Sequence, residues 1–274
     1  MSTDKPAGAF RKLHESTELF VMPNPWDVGT AKIFTRCGFK ALATTSGGMA
    51  YSLGERDGFV SRDDALKHCE ELANATELPL SADLEKGYGN SPEEVADIIT
   101  AVAATGVAGC SIEDYTGNPE SAIFESSLAI ERIQAAHEAA QSLADDFVLT
   151  ARCEKFLWGE PDLDKVIERL QAFEKAGADV LFAPGITAFA DIENLVAATE
   201  KPISVVMSTP DLTYGLAELQ EIGVRRVSIG SSMAQLIYGN AIKAISELAQ
   251  FGTFNFVNEA MDYAELEEWF VGPS

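Results

Sequence analysis

Short apolar runs recur along the chain at Leu19–Met22, Phe39–Thr45, Leu78–Ala82, Val107–Ile112, Phe147–Ala151, Ala178–Ala183, Ile203–Met207 and Arg226–Ile229, eight in all. Consecutive Val, Ile, Leu and Ala without polar alternation is the pattern of strands buried on both faces of a parallel sheet. Amphipathic stretches lie between the runs: Asp27–Thr35, Leu128–Leu143, Leu163–Ala176, Ala190–Ala198, Leu212–Ile222 and Met233–Leu248. Two more helices announce their starts. Ser61 precedes Asp63-Asp64, and Ser91 precedes Pro92-Glu93-Glu94, which places a capping hydroxyl, a first-turn proline and first-turn acids where a helix N-terminus needs them. Gly38, Gly106, Gly177 and Gly223 each fall between a helical stretch and the next apolar run, the joint expected of repeated β/α units.

Eight such units in a chain of 274 residues predict a (β/α)8 TIM barrel rather than a doubly wound sheet. No linker or composition shift divides the chain, so it reads as a single domain. Residues 1–18 form a lead-in, 19–250 the barrel, and 251–274 an acidic helical tail bearing Trp269 and Phe270.

Composition narrows the partners. Forty-three acids against 20 bases leave a net charge of −23, which disfavours nucleic acid and anionic membrane surfaces through repulsion. The four cysteines show no Cys-x-x-Cys spacing and only three histidines are present, so a zinc site is not expected. The N-terminus lacks a basic segment followed by an apolar run, and no stretch approaches the roughly 18–20 apolar residues that span a bilayer. A cytoplasmic protein is the expectation.

In a barrel, chemistry collects at the C-terminal ends of the strands. Those positions here read Ser46-Gly47-Gly48 after the second run, Asp83-Leu84-Glu85 after the third, Glu113-Asp114 after the fourth and Arg152 after the fifth. Asp83 and Glu85, two apart at a strand end, should lean the same way; with Glu113 they make an oxygen-rich set suited to Mg2+ held partly through water. The alternative is a group of solvated acids in an acid-rich chain. Arg152 fits either a substrate carboxylate or a structural ion pair with Glu113 or Glu154. Ser46-Gly47-Gly48 offers a hydroxyl and open backbone N–H groups to an oxyanion, or is simply a turn. The three histidines and Cys37, Cys69 and Cys110 read as structural; Cys153 stands nearer the mouth.

Taken together, Ser46-Gly47-Gly48, Gly54-x-x-Asp57, Asp83-x-Glu85-x-Gly87-Tyr88-Gly89, Ile112-Glu113-Asp114 and Ala151-Arg152 resemble the ordered motifs of the isocitrate lyase/phosphoenolpyruvate mutase superfamily, from about Asn24 to Gly230. The resemblance implies that Ser46, Gly47 and Gly48 bind a substrate carboxylate and oxo oxygen. It implies that Asp57, Asp83, Glu85 and Glu113 surround Mg2+, for which Mn2+ could substitute, and that Arg152 holds substrate charge. Asp57, Glu113 and Arg152 become the candidate catalytic residues, acting on a small carboxylate through a pyruvate-type enolate. Oxaloacetate decarboxylation or a related C–C cleavage is the leading expectation. C–P chemistry, as in phosphonopyruvate hydrolase or phosphoenolpyruvate mutase, is the alternative, and a non-catalytic 2-oxo acid binding protein is a reading of another class. The resemblance further implies a homo-oligomer, a dimer or tetramer, with the C-terminal helix exchanged between subunits. Two departures stand out. Glu85-Lys86 replaces the superfamily's Asp-Thr, and the stretch after Glu113-Asp114 lacks the Lys-Lys/Arg-Cys-Gly-His loop of isocitrate and methylisocitrate lyases.

Overall fold

The computed structural model describes residues 6–159 and 161–271; the first five residues of the lead-in and the last three of the tail lie outside the described residues. Each apolar run contributes one strand: β1 (Phe20–Met22), β2 (Leu42–Ala43), β3 (Leu80–Asp83), β4 (Gly109–Glu113), β5 (Val148–Arg152), β6 (Val180–Phe182), β7 (Ile203–Val206) and β8 (Arg226–Ser228). All pair in parallel in the order β1-β8-β7-β6-β5-β4-β3-β2. The remaining seam, between β1 and β2, is bridged by Ala43 N–H donating to Pro23 O at 3.0 Å. Asn24 reinforces it: its Nδ2 donates to Thr44 O, while its Oδ1 accepts from the N–H groups of Ile229 and Gly230. One side chain thereby ties the ends of β1, β2 and β8, and the sheet is a (β/α)8 barrel.

Helices form where capping and periodicity agree. Ser61 Oγ accepts from Asp64 N–H at the start of Arg62–Ala75, and Ser91 with Glu94 makes a reciprocal capping box on Pro92–Ala103. Gly38, Gly106, Gly177 and Gly223 all take positive φ, between 84° and 104°. At Gly177 a Cβ would also stand 2.3 Å from the His137 ring, so both conformation and space demand glycine.

Three elements differ from expectation. The stretch 212–222 is helical only over Leu216–Glu221, because the turn at Asp211 (φ 60°) and the extended Gly215 cap delay its start. Ser46–Ser52 is a helix rather than an open turn, capped by Thr45. The lead-in contains the helix Pro6–Glu15, whose Phe10 and Ala7 are buried against Phe20, Ala41, Val148 and Val180 and stop the N-terminal end of the barrel. The larger core lies between strands and the outer helices, filled by residues such as Leu42, Ile98, Ile112, Leu149 and Leu170. None of the described helices is long and apolar enough to cross a membrane.

Candidate active site

The strand ends surround a cavity of about 270 Å³ at the C-terminal mouth, walled in part by Ser46, Gly47, Asp57, Asp83 and Arg152. Helix Ser46–Ser52 presents its N-terminus there. Ser46 N–H donates to Asp83 Oδ2 at 3.2 Å, and the Ser46 hydroxyl bonds the Asp57 carboxylate. Gly47 lets that carboxylate come close: a Cβ would stand 3.3 Å from Asp57 Oδ2. Gly48, expected to contact substrate, is packed behind the cavity wall. Its N–H is capped by Thr45 Oγ1, it does not line the cavity, and a Cβ there would meet Thr45 Cγ2 at 2.6 Å and Trp26 Cβ at 2.8 Å. Its missing side chain serves packing.

Arg152, at the end of β5, is the hub. Nη1 donates to Asp83 Oδ1 at 3.0 Å, Nη2 meets Glu113 Oε2 at 3.1 Å and Glu154 Oε1 at 2.8 Å, and Nε donates to Glu154 Oε1 at 2.9 Å. The ion-pair alternative is observed, and the guanidinium also forms part of the cavity wall. Behind it runs a positioning chain that sequence reasoning missed. Asp114 accepts from the Glu154 N–H at 2.7 Å and from Arg169 Nη1 at 2.9 Å, and Arg169 also donates to Phe124 O. Arg132 likewise donates to Gly89 O and Lys86 O, with its guanidinium 4.3 Å from the centre of the Phe124 ring, and so holds the loop after β3. The available signal was an arginine inside an apolar helical stripe: Arg132 between Ala129, Ile133 and Ala136, and Arg169 between Val166, Leu170 and Phe173.

Glu85 reaches the site by a route that strand alternation did not foresee. β3 ends at Asp83, and Glu85 takes a left-handed φ of 51°. Its Oε1 is buried without a hydrogen-bond partner. Burial, then the Asp83 and Asp57 charges, push its carboxyl up to about 7, against the pull of Arg152 and Lys86. Lys86 turns its ammonium to Asn90 Oδ1 and Thr116 O. Burial raises Asp57 as well, and raises Glu113 despite Arg152. Glu85 and Glu113 are not on the cavity wall, and Glu113 reaches it only through its pair with Arg152. Cys110 and Cys153 are buried, with thiols pushed well up by burial, and Cys69 is pushed up to about 12.

Five carboxylates around one guanidinium, one of them with a buried unpartnered oxygen, form a donor set that fits a hard divalent cation. Among the described residues no three of these groups already converge to enclose a bare ion, an arrangement compatible with binding through water. Beyond the acids, Tyr115 stacks on Trp158 with ring centres 4.6 Å apart, joining the loop after β4 to helix Lys155–Trp158 at the rim.

Residues 10–249 match the phosphoenolpyruvate phosphomutase family. The chain belongs to that family. It is 32% identical to 2-methylisocitrate lyase of Escherichia coli K12 over 74% of this chain and 70% of that one. It is 27% identical to oxaloacetate decarboxylase of Chromohalobacter salexigens, covering 94% and 86% respectively. A candidate lyase/mutase of Burkholderia cenocepacia J2315 superposes with a TM-score of 0.94 at 44% identity, covering 98% of this chain and 96% of its own. The chain is thus an enzyme of the phosphoenolpyruvate mutase/isocitrate lyase superfamily.

Proposed function

We propose that the protein is a Mg2+-assisted carbon–carbon lyase acting on a small 2-oxo or 2-hydroxy carboxylate, with oxaloacetate-type decarboxylation as the leading reaction. The observation that carries this reading is the excess of carboxylate around Arg152, with Glu85 Oε1 buried and unpartnered beside Asp83 and Asp57. Asp57, Asp83, Glu85 and Glu113 would hold the metal, directly or through water, and Mn2+ could replace Mg2+. When bound, the cation supplies Lewis acidity toward the substrate's oxo oxygen and offsets enolate charge. The chain's own groups do the rest. Ser46 and the Gly47 N–H stand at a helix N-terminus facing the cavity, where they can donate to a substrate carboxylate or oxyanion. Arg152, held in place by Glu113 and Glu154, adds positive charge to the same wall and opposes charge building on the substrate.

Similarity to an oxaloacetate decarboxylase across most of both chains supports the substrate class. The exposed apolar residues of helix Ser232–Phe251, among them Leu236, Ile237, Ile242 and Ile245, support a homodimer or homotetramer. The test is incubation with Mg2+ and a panel of 2-oxo acids, assaying pyruvate, CO2 and phosphate separately. Metal-dependent release of pyruvate and CO2 from oxaloacetate is expected. Phosphate release from phosphonopyruvate would favour C–P chemistry instead, and binding without product would leave a 2-oxo acid receptor.

A further inference from the structure

The interior of a (β/α)8 barrel is ordinarily layered with branched apolar side chains. Below Arg152 this barrel is polar. Ser81, Ser111 and Ser228 line the lower part of the mouth cavity together with Arg226, which enters from the first residue of β8. Arg226 is 3% exposed. Its Nε donates to Ser204 Oγ at 2.9 Å and its Nη1 to Thr150 Oγ1 at 3.0 Å, with His14 Nε2 at 3.4 Å from Nη1.

All three partners are neutral. His14 Nδ1 lies 2.9 Å from Phe10 O, and burial beside Arg226 pulls the imidazole down to about 3, so at neutral pH it carries no charge. Among the described residues no carboxylate pairs with Arg226. Burial and the nearby Arg152 lower its guanidinium to about 9, which still leaves it protonated near neutrality. A buried cation without a counter-charge is costly, and here it faces open space continuous with the active-site mouth. The spacing also matters. Thr150, which holds Arg226, and Arg152 are two residues apart on β5, so their backbone positions stand roughly 6–7 Å apart along the strand. That is the scale of a four- or five-carbon diacid.

We propose that Arg226 and the surrounding hydroxyls form a buried anion subsite that takes the distal carboxylate of a dicarboxylic substrate, whose other end lies at Ser46, Gly47 and Arg152. The inference deepens the 2-oxo acid reading and rests on it for the end held at the mouth. A monocarboxylate such as pyruvate would fill the mouth and leave Arg226 without an anion.

Binding of two inert acids separates this subsite from the activity. Succinate and butyrate share a four-carbon chain, and only succinate carries the second carboxylate. Calorimetric titration of the full chain should show succinate bound about tenfold to a hundredfold tighter than butyrate, the scale of a charge-assisted hydrogen bond. Arg226→Gln should abolish the preference while leaving butyrate affinity unchanged, and Arg226→Lys should retain part of it. If the glutamine variant does not fold, Thr150→Val, which keeps the cation but removes an orienting hydroxyl, should lower the preference several-fold. Chloride added to wild type should weaken succinate but not butyrate if both anions use Arg226. Equal affinity for the two acids, no succinate binding, or an undiminished preference in the variants would overturn the proposal. Chloride binding at Arg226 without a succinate preference would also overturn it, since the subsite would then hold a free halide. None of these readouts requires turnover, so a protein inactive toward every 2-oxo acid would still decide the matter.

Discussion

Glu85 shows how a single side chain carries both a cost and a use. Its carboxyl sits near 4.5 in an unfolded chain and at about 7 in the fold. The folded protein therefore binds the extra proton more tightly, so its contribution to stability is fully present below about 4.5 and is lost as pH rises through about 7. Urea denaturation of the chelator-treated protein should show stability falling across that window by at most about 3 kcal/mol. Glu85→Gln should flatten the fall, and Mg2+ added above the window should stabilise wild type more than the variant. At Arg152 the fork matters as much as the charge. Three carboxylates are held at once by Nε, Nη1 and Nη2, which a lysine ammonium cannot reproduce. Arg152→Lys should lower kcat/KM by about 1–3 kcal/mol in transition-state free energy, read from steady-state kinetics on the best 2-oxo acid. A wild-type rate in that variant would make the residue purely structural. The adjacent glycines should separate stability from activity. Gly48→Ala forces a methyl into Thr45 and Trp26 and should cost about 1–3 kcal/mol of stability. Gly47→Ala meets only Asp57 and Ser231 at 3.3–3.4 Å, so it should fold nearly as well while displacing Asp57 and slowing turnover.

Among the elements, the loop after β4 bears on the proposed reaction through the acids it carries. Cleavage of isocitrate or 2-methylisocitrate leaves a carbanion that needs a proton, and a positioned acid is worth typically 10²–10⁴-fold. Here the segment folds into a small hairpin, with Thr116 N–H donating to Ala122 O at 2.8 Å and a 3-10 turn over Pro119–Ser121. It contains no cysteine, and Glu120, in the 3-10 turn, is exposed. Cys110 and Cys153 are buried with thiols pushed upward, so neither is poised to supply the proton. Isocitrate and 2-methylisocitrate should therefore be poor substrates beside a 2-oxo acid, despite the similarity to a 2-methylisocitrate lyase. Equal rates on purified protein would assign the acid's role to Tyr115 or Glu120. The helices behind the site act through their buried arginines: Arg169 fixes Asp114, Asp114 fixes the Glu154 backbone, and Glu154 grips Arg152.

For the whole molecule, the last long helix raises the question of assembly. Helix Ser232–Phe251 buries only Ala234, while Leu236, Ile237, Ile242, Ile245 and Phe251 are exposed. The tail turns back toward helix Val28–Arg36, where Arg36 donates to the Glu268 and Val271 carbonyls with its guanidinium 5.8 Å from the centre of the Trp269 ring. Arg36 thus anchors the end of the tail, while Met261, Tyr263, Leu266 and Phe270 stay exposed together with the long helix. Light scattering should give a mass that is a multiple of 29.4 kDa, and deleting residues 253–274 should yield smaller species if the tail is exchanged. An unchanged mass would count against exchange. The eight strands, their parallel pairing and the glycine joints were legible in the chain because burial on both faces and helix capping are local, periodic demands. The gathering of Asp83, Glu113 and Arg152 was legible because strand ends in a barrel share one mouth. What the chain alone left open is contact across the barrel. Only tertiary structure turns Gly48 into a packing glycine, brings Glu85 to Asp57 through a left-handed turn, gathers three carboxylates on Arg152 and leaves Arg226 without one. Those outcomes depend on which distant atoms fill the space around a group, and that is set when eight strands close on themselves.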